Sequence, residues 1–215
     1  MQENNLLKIL IVEDHAIVRD GLKLILTENL SIEEIGEARD SQEAIRLVRE
    51  NDWDLVVLDI NIPGKSGLEV LNEMRPAYPK LPILILSMHS ENQFAIRTLK
   101  AGADGYVTKE RASDELINAI QKVLSGGKYI SPSLAEKLAV ELNHDSNKAL
   151  HENLSDREYE IMYLIASGKA VSNIAETLCL SVKTISTYRS RTLEKMKMKT
   201  NAELIHYAIR NQLVN

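Results

Sequence analysis

Five short apolar runs punctuate the first half of the chain: LLKILIV (6–12), IEEIGEA (32–38), LVVLD (55–59), ILILS (83–87) and GYVT (105–108). Each reads as a strand, and the unbroken apolar stretch Leu55–Leu58 has the pattern of a strand covered on both faces. Between the runs lie amphipathic stretches. Ala16–Asn29 carries Ile17, Leu22, Leu24 and Ile25 on its expected apolar side, and Ser41–Glu50 is introduced by Asp40 with Glu43 in a capping-box arrangement. This fivefold alternation predicts an α/β domain, a five-stranded parallel sheet with helices on both faces and an end near Leu124, and the fold expected is the doubly wound one of order 2-1-3-4-5.

Gly126 and Gly127 stop the last of these helices, and Ser131-Pro132 starts a short one, because proline is tolerated at a first helical position. The segment ELNHDSNKALHEN (141–153) is polar and aperiodic and reads as a linker. Beyond it the pattern is helical throughout. Ser155 and Glu158 are spaced as a capping box and Leu154 and Tyr159 as a hydrophobic staple, with helices expected at 156–167, 172–178, 182–197 and 201–211. The expected organisation is a domain at 1–127, a connection with a short helix at 128–153, and a smaller all-α domain at 154–215.

Composition narrows the classes. The chain has 215 residues, 44% hydrophobic and 4% aromatic, enough for two modest domains. A single cysteine, Cys179, excludes a disulfide framework and suits a reducing compartment. The opening MQENNLLKILIVED has no basic region ahead of an apolar stretch, and no run approaches the roughly 18 apolar residues of a membrane span, so a cytoplasmic protein without membrane attachment is expected. The net charge of −5 is unevenly spread. Residues 1–125 hold 21 acids and 14 bases, whereas 151–215 hold 7 acids and 9 bases. Lys183–Lys199 alone carries six bases against Glu194, a local excess to be weighed with the helix pattern there.

The chemistry starts from an acid. Asp59 ends the third strand, and Glu13-Asp14 end the first. In a 2-1-3-4-5 sheet these strand ends border the crevice where the winding reverses. Three carboxylates gathered there raise one another's pKa unless a cation joins them, and an all-oxygen site suits Mg²⁺. Ser87 closes the fourth strand with a hydroxyl, and Lys109 follows the fifth with an ammonium able to meet a phosphoryl oxygen. Asp59 is the candidate phosphoryl acceptor, with metal and lysine stabilising the transferring group.

Residues 6–124 resemble the receiver domain of two-component response regulators, on the ED pair of IVEDH, the LDINIPGKSG stretch, ILILS and GYVTKE. The resemblance implies that Asp59 is phosphorylated by a partner histidine kinase. It also implies that Glu13, Asp14 and Asp59, with the backbone carbonyl of Asn61, hold the metal, and that Ser87 and Lys109 sense the phosphate. Tyr106 matches the aromatic residue that changes packing when the hydroxyl residue moves. Glu110 stands where many receivers carry proline after the lysine.

In the second half, SNIAETLCLSVKTISTYRSRTLEKMKMK reads as helix, tight turn, helix, with Ser181 as N-cap of the second. On that helix Ile185, Tyr188, Thr192 and Met196 form a packing stripe, while Lys183, Ser186, Thr187 and Ser190 lie opposite. A solvated face explains such a stripe as readily as a recognition helix would, one whose N-terminal half meets base edges while Arg191, Lys195 and their neighbours meet phosphates. Residues 154–211 resemble a LuxR-type helix-turn-helix, so the whole chain is similar to response regulators of the NarL/FixJ type. That implies binding of double-stranded DNA as a homodimer, contacts from Lys183, Thr184, Ser186, Thr187, Ser190, Arg191 and Lys195, and a dimer contact from the last helix, which Thr200 and Glu203 cap.

The competing reading is a phosphohydrolase with Asp59 as nucleophile. Such enzymes place a second acid two residues on, where this chain has Asn61, and the expectation is a regulator rather than an enzyme. A third reading keeps DNA binding and drops phosphate control. His15 is not expected as a Mg²⁺ ligand, Cys179 is expected to be small and buried, and Trp53 to be a packed aromatic.

Overall fold

A computed structural model of the chain describes residues 6–88, 93–143, 149–211, 213 and 214. The strands β1 (Leu7–Val12), β2 (Ile32–Ala38), β3 (Leu55–Asp59), β4 (Ile83–Ser87) and β5 (Gly105–Thr108) form one parallel sheet in the order β2-β1-β3-β4-β5. Helices α1 (Ala16–Asn29), α2 (Ser41–Glu50), α3 (Gly67–Ala77), α4 (Gln93–Lys100) and α5 (Ala112–Leu124) make the crossovers. The 2-1-3-4-5 order expected from the sequence is the one observed.

Strand alternation divides the core. Ile9, Ile11, Leu55, Val57, Leu84, Leu86 and Val107 gather with Leu22 and Leu26 of α1 and Leu116, Ala119, Ile120 and Val123 of α5. The alternate positions Leu10, Val56, Leu58, Ile85 and Tyr106 are buried on the other face, so the central strands have no wet side. Each fully buried Leu or Ile stabilises the fold by about 1.5–3 kcal/mol relative to exposure.

Two local expectations are corrected and one is met. Ile17 and Leu24 are not on the buried side of α1: they are 88% and 58% exposed, and the packed face is Val18, Leu22, Ile25 and Leu26, at true helical spacing. Asp40 caps α2 through Gln42 N–H and Glu43 N–H, but the Glu43 carboxylate reaches back to Arg39 N–H instead of closing a capping box on Asp40. Trp53 is buried and donates its indole N–H to the Leu47 carbonyl at 3.0 Å.

Past Gly127 the chain returns to the sheet. Tyr129 forms a parallel bridge beside Gly105, with Tyr129 N–H donating to Asp104 O at 2.9 Å. A Cβ at Gly105 would sit 2.9 Å from the Tyr129 Cβ, so this approach requires glycine. Helix α6 (Pro132–Asn143) is capped by the Ser131 hydroxyl and runs three residues into the segment expected to be linker. A 3₁₀ turn follows at Leu150–Asn153.

The chain divides into two compact units, 1–140 and 141–215. The second is helical: α7 (Asp156–Ala166), α8 (Val171–Thr177), α9 (Val182–Lys195) and α10 (Asn201–Arg210). Reciprocal capping boxes open α7 at Ser155/Glu158 and α10 at Thr200/Glu203. Its core holds Tyr159, Ile161, Met162, Ile174, Ile185, Leu193, Met196, Leu204 and Ala208. No helix among the described residues is long and apolar enough to cross a membrane.

Candidate functional site

The carboxyl ends of β1, β3 and β5 bring three charged groups to one point. The Lys109 ammonium lies 2.8 Å from Asp59 Oδ2 and 2.5 Å from Glu13 Oε2. Asp59 is only 2% exposed and Glu13 1%. Burial pushes the Asp59 carboxyl up to about 6; Lys109 pulls against this and the Glu13 charge adds to it. Burial alone would lower the Lys109 pKa, but Asp59 and Glu13 outweigh it and hold the ammonium above its ordinary value. Asn61 N–H donates to the other Asp59 oxygen, Oδ1, at 3.1 Å.

Asp14 and His15 complete the group. Ligand atoms of Glu13, Asp14 and His15 lie within 4.8 Å of one another. The His15 ring nitrogen Nδ1 is 2.7 Å from Asp14 Oδ1 and 3.1 Å from Glu13 Oε1. Burial lowers the His15 pKa, but the two acids outweigh it and the net direction is up. The Lys109 ammonium thus pairs with Glu13 and Asp59, and Asp14 adds a third carboxylate beside Glu13. The residual negative charge and hard oxygen donors fit a divalent cation such as Mg²⁺ better than a soft metal, and the imidazole serves the acids as a hydrogen-bond partner.

The neighbouring strand ends carry the other residues singled out in the sequence. Sheet register sets Asp59 beside Leu86, one residue before Ser87, and Ile85 beside Tyr106. Ser87 and Tyr106 are fully buried. With Glu110 in place of a proline, Lys109–Arg111 form a 3₁₀ turn that leads directly into α5.

On α9, Ser181 caps the helix through Thr184 N–H at 3.0 Å. Ile185, Thr192 and Met196 are buried and Tyr188 is half-buried, while Lys183, Ser186, Thr187, Ser190, Arg191 and Lys195 are exposed. Thr187 and Ser190 donate their hydroxyls to the carbonyls of Lys183 and Ser186, both at 3.0 Å, which leaves their oxygen lone pairs turned to solvent. Thr184 is half-buried and its hydroxyl lies 2.8 Å from Ser181 Oγ. The Lys195 ammonium is engaged by Glu158 at 2.6 Å, and Arg189 Nε–H donates to Asn201 Oδ1 at 2.6 Å, tying α9 to α10.

Residues 9–121 match the family of response regulator receiver domains, and residues 152–208 match the bacterial regulatory proteins of the luxR family. Response regulator UvrY of Escherichia coli is 35% identical over 211 residues, covering 98% of this chain and 97% of that protein. Response regulator GacA of Pseudomonas aeruginosa is 35% identical over 214 residues, covering 98% and 99%. A solved structure of RcsB from Salmonella enterica serovar Typhimurium, bound to a promoter in the presence of the phosphomimetic BeF3-, aligns with a TM-score of 0.60 at 26% identity, over 94% of this chain and 98% of that one. The chain is a two-component response regulator with a LuxR-family DNA-binding domain.

Two features of this response regulator do not emerge from sequence pattern. A Cβ on Gly67 would lie 2.1 Å from the Asp59 carbonyl oxygen and 2.8 Å from Ile60 Cα, so α3 can start against the acidic strand end only with glycine there. The glycine is legible in LDINIPGKSG, but its reason is a tertiary contact. Arg19, buried beneath Glu13, is the second. Cys179 is a correction. It is exposed with φ 51° in the turn between α8 and α9, a left-handed conformation that turns the small side chain outward instead of into the core.

Proposed function

We propose that this response regulator is switched by phosphorylation of Asp59 by a sensor histidine kinase and then binds double-stranded DNA as a homodimer. The observation that carries the reading is the single ammonium of Lys109 clasping two buried carboxylates at the carboxyl edge of the sheet. Asp59 Oδ1, the oxygen that Lys109 does not hold, attacks phosphorus as the donor's P–N bond breaks, the leaving imidazole taking the electron pair, and Lys109 turns from Asp59 to the new phosphoryl oxygens. Glu13, Asp14, Asp59 and the Asn61 carbonyl would hold Mg²⁺, which supplies charge neutralisation for the transferring group. Ser87 follows the phosphoryl group, and Tyr106 repacks with it.

The output follows from the exposed face of α9. Lys183, Ser186, Thr187 and Ser190 read base edges in the major groove, with Thr184 beside them and Arg191 on phosphate. Lys195 joins them by exchanging Glu158 for a phosphate. Helix α10 supplies the contact between two copies. That RcsB is bound to a promoter in the presence of a phosphomimetic supports a link between the phosphorylated site and DNA binding here. In functional terms the chain is a receiver at 1–127, a connection at 128–153 and an output domain at 154–215, working in the cytoplasm.

The test is phosphoryl uptake by the full chain from acetyl phosphate. One phosphate per chain is expected with Mg²⁺ present, and none with chelator or in Asp59→Asn. Undiminished labelling of Asp59→Asn would remove Asp59 from this role.

A further inference from the structure

The acids at the end of β1 can serve a cation only if their backbone is held. Arg19 rises from α1 beneath the β1–α1 loop and is 5% exposed. Its Nη1–H donates to the Glu13 carbonyl oxygen at 2.9 Å, and its Nε–H donates to Glu37 Oε2 at 2.6 Å. Glu37 also receives the Lys23 ammonium at 2.9 Å. From the other side, Glu13 N–H donates to the Ala38 carbonyl at 3.0 Å. The main chain of Glu13 is therefore fixed at both its N–H and its C=O, and both fixings end on the last two residues of β2.

A guanidinium at this depth loses its hydration, so an apolar side chain would fill the same space at lower cost. A lysine could pair with Glu37, but it lacks the rigid fork that reaches a carboxylate and a carbonyl together. We propose that Arg19 and Glu37 are a positioning pair for the divalent-cation site, orienting Glu13 so that its carboxylate meets the ion. The inference rests on the reading of Glu13 and Asp14 as cation-holding residues. Neither Arg19 nor Glu37 touches the ion; each acts through Glu13, as the outer partners of metal ligands do.

The experiment measures ion affinity directly. Mn²⁺ binding to the full chain is followed by electron paramagnetic resonance, with Mg²⁺ as competitor, for wild type, Arg19→Met, Arg19→Lys and Glu37→Gln. Arg19→Met is expected to weaken both ions about tenfold or more, and Arg19→Lys and Glu37→Gln by less. At saturating Mg²⁺, phosphoryl uptake from acetyl phosphate should return to the wild-type rate. A merely structural part would lower the unfolding midpoint and leave the ion affinity unchanged, which would overturn the proposal. Should Arg19→Met fail to fold, Glu37→Gln decides, since it keeps size and an acceptor oxygen. Wild-type protein that bound neither ion would overturn the cation reading itself, and this pair's role with it.

Discussion

The carbonyl oxygen of Asp59 occupies the space that a side chain on Gly67 would need, with 2.1 Å between that oxygen and the ideal Cβ position. The Gly67 N–H donates to the Ile60 carbonyl at 2.8 Å, so the start of α3 and the end of β3 are one rigid unit. Gly67→Ala must push them apart. We expect a loss of about 1–3 kcal/mol in urea unfolding, the range for forcing extra volume into packed structure, together with slower phosphoryl uptake. Unchanged stability would mean that the loop at 60–66 yields and that Asp59 is not held by this contact.

Asp59 also gives the metal-free protein a pH dependence of definite sign. Its folded-state pKa is raised from 3.8 to about 6 by burial. The folded state therefore binds a proton more tightly than the unfolded chain. Stability from this group is complete below pH 3.8 and is lost as pH rises through about 6. At about 1.4 kcal/mol per pH unit the loss approaches ~3 kcal/mol. Chemical denaturation of wild type and Asp59→Asn in chelator, between pH 4 and pH 8, isolates this part. The difference between the two proteins should favour Asp59→Asn increasingly with pH, and Mg²⁺ should close it. A flat difference would show that Lys109 already compensates the buried charge.

Much of this was legible because period and position are backbone properties. The runs at 55–59 and 83–87 are strands to the residue, and the strand-end position of Asp59, Glu13 and Lys109 follows from the crossover rule. What stayed hidden depends on rotation and contact. Ile17 and Leu24 belong to an apolar count but lie on the outer side of α1, a matter of helical phase. The burial of Arg19 has no signal in the sequence pattern, and its guanidinium donates to the Glu13 carbonyl. Tyr129 reads as the start of a linker, but it pairs with β5 because Gly105 leaves room for it.

The two basic residues at the end of α9 should behave differently on DNA. Arg191 is exposed, whereas the Lys195 ammonium is already paired with Glu158 at 2.6 Å. Arg191→Ala should weaken binding on all sequences alike and reduce the slope of log K against log salt by about 0.9 for each phosphate that the arginine no longer neutralises. Lys195→Met should cost less, because its gain on DNA is reduced by the pair it gives up, and it should also destabilise the free domain by leaving Glu158 without its cation. Thr187→Ala should instead alter base preference with little change in salt slope. Equal effects of Arg191→Ala and Thr187→Ala on the slope would contradict this division of labour. Fluorescence anisotropy at several salt concentrations measures all three.

The proposed switch predicts that Ser87 separates uptake of the phosphoryl group from the response to it. Its side chain is fully buried at the end of β4, one register step from Asp59 and on the strand paired with that of Tyr106. Against a phosphoryl group the Ser87 hydroxyl would gain a charge-assisted hydrogen bond, so on the proposed reading it favours the phosphorylated arrangement over the resting one. Ser87→Ala should still take up beryllofluoride or phosphate on Asp59. The gain in DNA affinity on phosphorylation, typically about five- to 150-fold for coupled sites, should shrink by about fivefold or more. Binding measured with and without beryllofluoride reads this directly. A full gain in Ser87→Ala would mean that Lys109 alone carries the signal; loss of beryllofluoride binding would mean that Ser87 serves the chemistry and not the coupling.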